Sequence, residues 1–258
     1  VPEGDTVYLA VKNLRAALAG HELTRCDIRV PAFATVDFTG SVLEEVLSRG
    51  KHLLMRVAGH TIHTHLKMEG SWHLYRHGTK WQRPEWQARI ILETADWVAV
   101  GFQLGVVEVV PTADEASVVG HLGPDLLGPD WDAGRALANF EAQPEREIGV
   151  ALLDQRLMAG LGNVYRSEVC FLRGVLPDRR IADVPDLPAM IELSYRLIDA
   201  NKDRAERTTT GSLRREATWV YGRKGRPCLR CGTPIRKRED FGEPGQERVV
   251  YWCPRCQS

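Results

Sequence analysis

The chain has 258 residues with 34 basic and 34 acidic side chains, and 43% of its residues are hydrophobic, an ordinary share for a globular protein. That length holds two moderate domains and a small appendage. No apolar run is long enough for a membrane span and no signal-peptide pattern opens the chain, so a cytoplasmic protein with no membrane partner is expected.

The neutral total hides a segregation. From Lys202 onward 14 basic residues stand against 7 acidic ones, which leaves about −7 on the preceding 201. A basic end on a neutral chain suits one nucleic-acid-facing surface, and it also suits a plainly solvated charge run.

In chain order, Asp5 or Thr6 can cap a helix that carries Val7, Ala10, Val11, Leu14 and Leu18 at helical spacing up to Gly20. Short apolar runs between turn residues follow, at 53–57, 61–66, 71–75, 88–93, 97–102 and 106–110. They predict the strands of a sandwich or flattened barrel. Residues 114–131, rich in Gly and Pro, read as a linker. The period then becomes helical. One helix runs from Ile148 through Leu157 and stops at Gly160-Leu161-Gly162, a second spans 163–172 and a third 188–200. Thr208-Thr209-Thr210-Gly211 is a polar loop. The fold class expected is α+β. An N-terminal β-sandwich domain with flanking helices covers 1–115, a linker 116–130, a helical domain 131–221 and a zinc finger 222–258.

The finger is the strongest local signal. Cys228-x2-Cys231 and Cys253-x2-Cys256 are separated by 21 residues. Two such knuckles make a closed tetrahedral four-cysteine site for one structural Zn2+. Val249-Val250-Tyr251-Trp252 reads as the returning strand of a hairpin. So short a finger has no core of its own, so metal binding supplies most of its folding energy. Cys26 and Cys170 remain as free thiols in a reducing compartment.

Several residues carry chemistry only in context. If residue 1 is removed, Pro2 has a free secondary amine, nucleophilic near neutral pH. Glu3 beside it is placed to move protons. Either is equally consistent with an ordinary chain start. Asn163 follows Gly160-Leu161-Gly162 at a helix N-terminus, a place suited to phosphate and also to a plain helix connection. Lys51 and Arg248 are candidate phosphate ligands or solvated charges. Met68 is a candidate wedge between bases or a core filler.

Taken together, these residues resemble a known family. The motifs are Pro-Glu-Gly-Asp-Thr at the start, Arg-Gly-Lys-His-Leu-Leu at 49–54, Leu-Gly-Pro-Asp-Leu-Leu at 122–127, Leu-Leu-Asp-Gln-Arg-Leu-Met-Ala-Gly-Leu-Gly-Asn-Val-Tyr-Arg-Ser-Glu at 152–168 and Tyr-Gly-Arg-Lys-Gly-Arg-Pro-Cys at 221–228. They are similar to the formamidopyrimidine-DNA glycosylase and endonuclease VIII family, in order and over nearly the whole chain. The resemblance makes 131–221 a helix-two-turns-helix domain and implies a bifunctional glycosylase and abasic-site lyase of bacterial base-excision repair, monomeric, with damaged DNA as partner. In it the Pro2 amine attacks C1′ of the damaged nucleotide and Glu3 assists proton transfer. Lys51 contacts phosphate and helps elimination. Arg248 and Asn163 grip phosphates around the flipped nucleotide, and Arg248 also serves the second elimination. Met68 fills the vacated space, and Lys67 and His121 are further DNA contacts. A base inside a duplex is out of reach of such an amine, so flipping and plugging are required.

The guanine-lesion branch carries Arg-Arg-Phe-Gly where this chain has Phe102-Gln103-Leu104-Gly105, and a second glutamate where it has Thr6. Both differences imply the endonuclease VIII branch, whose substrates are oxidised pyrimidines. A formamidopyrimidine and 8-oxoguanine glycosylase is the alternative within the family. If Val1 stays in the mature chain, Pro2 has only an amide nitrogen, and a non-catalytic lesion or abasic-site binder is the alternative.

Overall fold

A computed structural model of the chain describes residues 2–258. Val1, and with it the question of whether Pro2 is blocked, lies outside the described residues. The chain divides into two compact units. One comprises Pro2 and Thr6–His121, the other Glu3–Asp5 and Leu122–Ser258.

Helix α1 spans Gly4–Leu18. It starts ahead of both residues expected to cap it, so Asp5 lies in its first turn. Val7, Val11, Leu14 and Leu18 are buried at the expected spacing. In the first unit β1 (His21–Glu22), β3 (Val42–Arg49), β4 (His52–Val57), β5 (His60–His65) and β9 (Val106–Pro111) form one antiparallel sheet. A second sheet is built from β2 (Arg25–Ile28), β7 (Ala88–Glu93), β8 (Trp97–Phe102) and β6 (Ser71–Arg76). Their inner faces share one core that includes Leu43, Val46, Met55 and Ile62 with Ile28, Ile90, Leu92 and Ala99, which makes the unit a β-sandwich. The six expected strands are present. Of the three the pattern missed, β1 has two residues, β2 buries only Cys26 and Ile28, and in β3 Glu44 and Glu45 interrupt the apolar residues. The short helix α2 (Ala116–Val119) closes this unit.

The second unit is helical, with α3 (Ala133–Glu141), α4 (Ile148–Ala151), α5 (Asn163–Arg173) and α6 (Leu187–Asp199). Asp132 and Asp186 cap α3 and α6, accepting from the N–H of Arg135 at 2.9 Å and of Ala189 at 3.0 Å. The long helix expected through Leu157 ends instead at Ala151. Asp154 diverts the chain. Its carboxylate accepts from the backbone N–H of Arg156 at 3.0 Å and from the guanidiniums of Arg146 and Arg156, both at 2.7 Å. Residues 152–162 therefore run as turns. Part of the stretch read as a linker belongs to this core: Leu126 is fully buried, and its N–H donates to the Ala159 carbonyl at 3.1 Å.

The chain ends in the antiparallel hairpin of β10 (Arg236–Phe241) and β11 (Arg248–Trp252). Its apolar residues do not close a core by themselves. Ile235, Cys228 and Cys253 pack with Phe171 of α5 and with Val220. The molecule is thus an α+β protein with a β-sandwich, a helical unit and a cysteine-bearing hairpin. Cys26 and Cys170 are buried thiols. No helix among the described residues is long and apolar enough to cross a membrane.

Candidate functional site

The N-terminus of α5 is the centre of the second unit's site. Glu3 is fully buried there. One of its carboxylate oxygens accepts from the N–H of Gly162 at 2.8 Å and the other from Val164 at 2.7 Å. A helix N-terminus offers unpaired N–H groups and a positive dipole end, so it holds a carboxylate well. A Cβ on Gly162 would stand 2.5 Å from the Glu3 carboxyl carbon, so the close approach requires glycine. The guanidinium of Arg207 lies 3.8 Å from Glu3 and forms a bidentate pair with Asp5. The Tyr165 hydroxyl donates to Asp5 at 2.8 Å. Burial and the Asp5 charge raise the Tyr165 pKa, so the phenol keeps its proton. The first acidic residues of the chain are thereby tied to α5 and to the loop carrying Arg207.

Asn163 is the first residue of α5. Its side-chain oxygen accepts from Arg166, whose guanidinium is fully buried and also donates to the Val249 carbonyl at 2.8 Å. Arg166 therefore links Asn163 to the strand that starts with Arg248, while the Arg248 side chain is exposed. Glu168, one and a half turns along α5, accepts from the N–H groups of Trp219, Val220 and Tyr221 at 2.8–2.9 Å. That buried carboxylate shapes the loop which presents Tyr221. Glu3, Asn163 and the Arg248 strand are in this way assembled from positions far apart in sequence.

The sulfur atoms of Cys228, Cys231, Cys253 and Cys256 all lie within 4.8 Å of one another. The Cys228–Cys256 and Cys231–Cys253 separations are 3.9 and 3.5 Å. Both are far beyond a disulfide bond of about 2.05 Å. They match the edge of about 3.8 Å expected of a tetrahedron with metal–sulfur bonds of about 2.3 Å. The four thiols can hold one metal ion.

The first unit holds Pro2, Lys51, Lys67, Met68 and His121. Pro2 is half-buried and joined by its peptide to Glu3. Lys51 precedes β4, whose first residue, His52, belongs to a cluster that sequence reasoning missed. His63 Nδ1 faces Glu108 at 3.1 Å and its Nε2 faces His52 Nδ1 at 2.8 Å. A carboxylate only accepts, so His63 Nδ1 donates to Glu108, and one of the two facing nitrogens, His63 Nε2 or His52 Nδ1, donates to the other. His65 and His121 rings stand 4.9 and 6.1 Å from His52. Burial first, then the neighbouring His65, His63, His121 and Lys67, pulls the His52 pKa down to about 3. Burial with Lys67, Lys51 and His63 pulls His65 down to about 4. His52 and His65 are thereby neutral imidazoles close to the Lys51 and Lys67 ammonium groups. Met68 is 61% exposed, which removes core filling as its role. Phe102 is fully buried among Ala88, Val100 and Tyr75, and Leu104 is buried against Gly101.

Comparison with known proteins accounts for this arrangement. The sequence profile of the formamidopyrimidine-DNA glycosylase N-terminal domain matches residues 1–103, and that of the family's H2TH domain matches 122–188. The chain belongs to the formamidopyrimidine-DNA glycosylase family. It is an enzyme of that family of DNA-repair glycosylases and abasic-site lyases. It is 54% identical to "Probable endonuclease 8 2" of Streptomyces coelicolor, over all of this chain and 94% of that one. It is 49% identical to the "DNA-(apurinic or apyrimidinic site) lyase Nei2" of Mycolicibacterium smegmatis, over 100% and 99%. A formamidopyrimidine-DNA glycosylase of Symbiobacterium thermophilum is 31% identical over all of this chain and 88% of its own. The fold matches that of Lactococcus lactis Fpg in complex with DNA containing an abasic site, with a TM-score of 0.81, 23% identity and full coverage of both chains. The turns at 152–162 and helix α5 lie within the stretch that the H2TH profile matches.

Proposed function

We propose that this glycosylase and lyase removes oxidised pyrimidines from DNA through a Schiff base on the Pro2 amine. The burial of Phe102 and Leu104 carries the choice of substrate. At the place where the guanine-lesion branch presents an arginine and a phenylalanine to the opposite strand, this chain spends both side chains on its core. The similarity to proteins named endonuclease 8 supports the same branch.

In the proposed reaction the lone pair of the Pro2 nitrogen forms a bond to C1′ as the bond to the base breaks, and the base departs with a proton. Loss of the nitrogen's single N–H proton leaves a tertiary amine, whose lone pair expels O4′ as the C1′–O4′ bond breaks and O4′ takes up a proton, giving the iminium. Loss of a C2′ proton then drives cleavage of the C3′–O bond, and the 3′ phosphate leaves. Glu3 takes the role of proton carrier, held by the α5 N-terminus. Lys51 lies among the basic groups of the first unit, where it meets phosphate and assists elimination. Asn163 and Arg248, joined through Arg166, hold the phosphates of the flipped nucleotide, and Arg248 serves the second elimination. Lys67 and His121 extend the phosphate contacts, and Met68 fills the gap. Cys228, Cys231, Cys253 and Cys256 hold one structural Zn2+, which shapes the hairpin and takes no part in bond cleavage.

Borohydride trapping tests this reading on protein whose N-terminus has been verified by intact mass. Duplexes with 5-hydroxyuracil, an abasic site or 8-oxoguanine are compared. Covalent bands on the first two, lost in Pro2→Gly, are expected. Trapping on 8-oxoguanine alone would move the chain to the guanine branch. No band on any duplex with Pro2 exposed would leave a DNA binder without this chemistry.

A further inference from the structure

Three non-glycine residues among those described have positive φ: Ala58 at 48°, Lys67 at 54° and Gln103 at 47°. Ala58 is explained by the tight Ala58-Gly59 turn between β4 and β5, which needs two such residues. Lys67 and Gln103 lie in two different turns, and strain of that kind persists only where surrounding contacts impose it. Here the contacts are visible. The Gly105 N–H donates to the His65 carbonyl at 3.1 Å. A Cβ at Gly105 would lie 2.2 Å from Lys67 Cγ, so the lysine stem lies directly on that glycine. Arg83 spans both turns. Its Nη1 donates to the Glu69 carbonyl at 3.3 Å and to Gln103 Oε1 at 2.8 Å. The Gln103 N–H donates to the Gln87 carbonyl at 2.9 Å.

The guanidinium decides which end of the Gln103 amide faces out. Arginine has no acceptor, so the oxygen end must face Arg83 and the NH2 end points away. Gln103 is exposed, as is Met68 in the braced neighbouring turn. One unit thus holds an apolar tip and an oriented amide donor on two turns cross-linked by one arginine.

We infer that Gln103 donates a hydrogen bond to the base left unpaired opposite the lesion, and that Arg83 is the positioning residue that aims it and holds Met68 beside it. The inference rests on the lesion-DNA reading above and deepens it. One amide donor has a distinctive consequence. Every base carries at least one acceptor on its pairing edge, while only cytosine carries two adjacent ones, N3 and O2. A guanidinium at this tip would select cytosine, whereas a single N–H accepts all four bases. That tolerance suits an enzyme whose pyrimidine lesions arise opposite both adenine and guanine.

The test is the Kd of the full chain, by fluorescence anisotropy, for a duplex carrying a tetrahydrofuran abasic analogue opposite A, G, C or T. Wild type is expected to bind all four within about threefold. Gln103→Leu and Arg83→Met should each weaken binding about 3- to 10-fold, the size of one hydrogen bond. The double variant should be no weaker than Arg83→Met alone, because Gln103→Leu removes a contact that Arg83→Met has already lost. Arg83→Lys, which keeps a donor, should recover part of the loss, a rescue that loss of folding would not show. Additive losses, unchanged binding in both single variants, or a wild-type preference above tenfold for one opposite base would overturn the inference. If wild type binds the analogue no better than intact duplex, the lesion reading falls and this inference with it. Tight analogue binding that ignores both substitutions sinks the inference alone.

Discussion

Arg166 shows how much of the site rests on a side chain that is not itself a candidate for chemistry. It is completely buried, and burial pulls its pKa down to about 10. Its charge is met by the Asn163 amide oxygen and the Val249 carbonyl, and it stands 5.1 Å from the ring of Phe241. Its Nε has no hydrogen-bond partner. Arg166→Met would remove the charge but leave the half-buried Val249 carbonyl and Asn163 amide oxygen without this donor, each costing about 1–2 kcal/mol, the lower end for partly buried groups. A loss of about 2–4 kcal/mol in urea unfolding is expected, together with weaker abasic-duplex binding under conditions where the variant is fully folded. Binding equal to wild type in the folded variant would show that Asn163 does not need this anchor. Arg166 was present in the quoted motif, yet nothing local marks it, because its partner carbonyl lies 83 residues away. The same holds for Arg207, 202 residues from the Asp5 it clamps. The clustering of the four cysteines was legible because their local spacing carries the signal, whereas Pro2 and Asn163 stood out only through the resemblance of the whole pattern.

At the scale of elements, apolar runs bounded by turn residues exposed six strands, and spacing exposed α1, α5 and α6. The misread helix after Ile148 shows the limit of the pattern: Asp154 offers the backbone a turn, and a side-chain hydrogen bond competes with a helix wherever Asp is well placed. The terminal hairpin makes a testable contrast with these elements. Its strands bury little beyond Phe241 and Val250, and its cysteines share a small core with Phe171 and Val220. Removing the metal should therefore loosen β10 and β11 while leaving the sandwich intact. Hydrogen exchange of the whole chain before and after chelation should show lost protection at 236–252 and none across β3, β4 and β5. One zinc per chain should appear in the chelator fraction. Unchanged protection in the hairpin after metal loss would mean that its packing on α5 suffices.

For the whole molecule, the balance of charge says little about stability, and the histidine cluster says more. An unfolded histidine titrates near 6.5, whereas His52 and His65 in the folded chain titrate at about 3 and about 4. Above pH 6.5 both are neutral in either state, and their contribution is fully present. As the pH falls from 6.5 the unfolded chain takes up protons that the folded chain refuses, so stability is lost progressively down to about pH 3. Two carboxyls act with the opposite sign. Burial raises the pKa of Glu147 and Glu168 above its usual 4.5. Just above pH 4.5 the folded chain therefore binds their protons first, and acid favours it. Asp154 and Glu115, held low by arginines, lose their contribution only in stronger acid. Between pH 7 and 5 the histidines are thus the groups that should lower the melting temperature. Melts at half-unit steps should show a fall for wild type and a smaller one for the double variant His52→Gln and His65→Gln. Equal falls would place the acid sensitivity elsewhere and would mean that the folded cluster takes up protons as readily as the unfolded chain does.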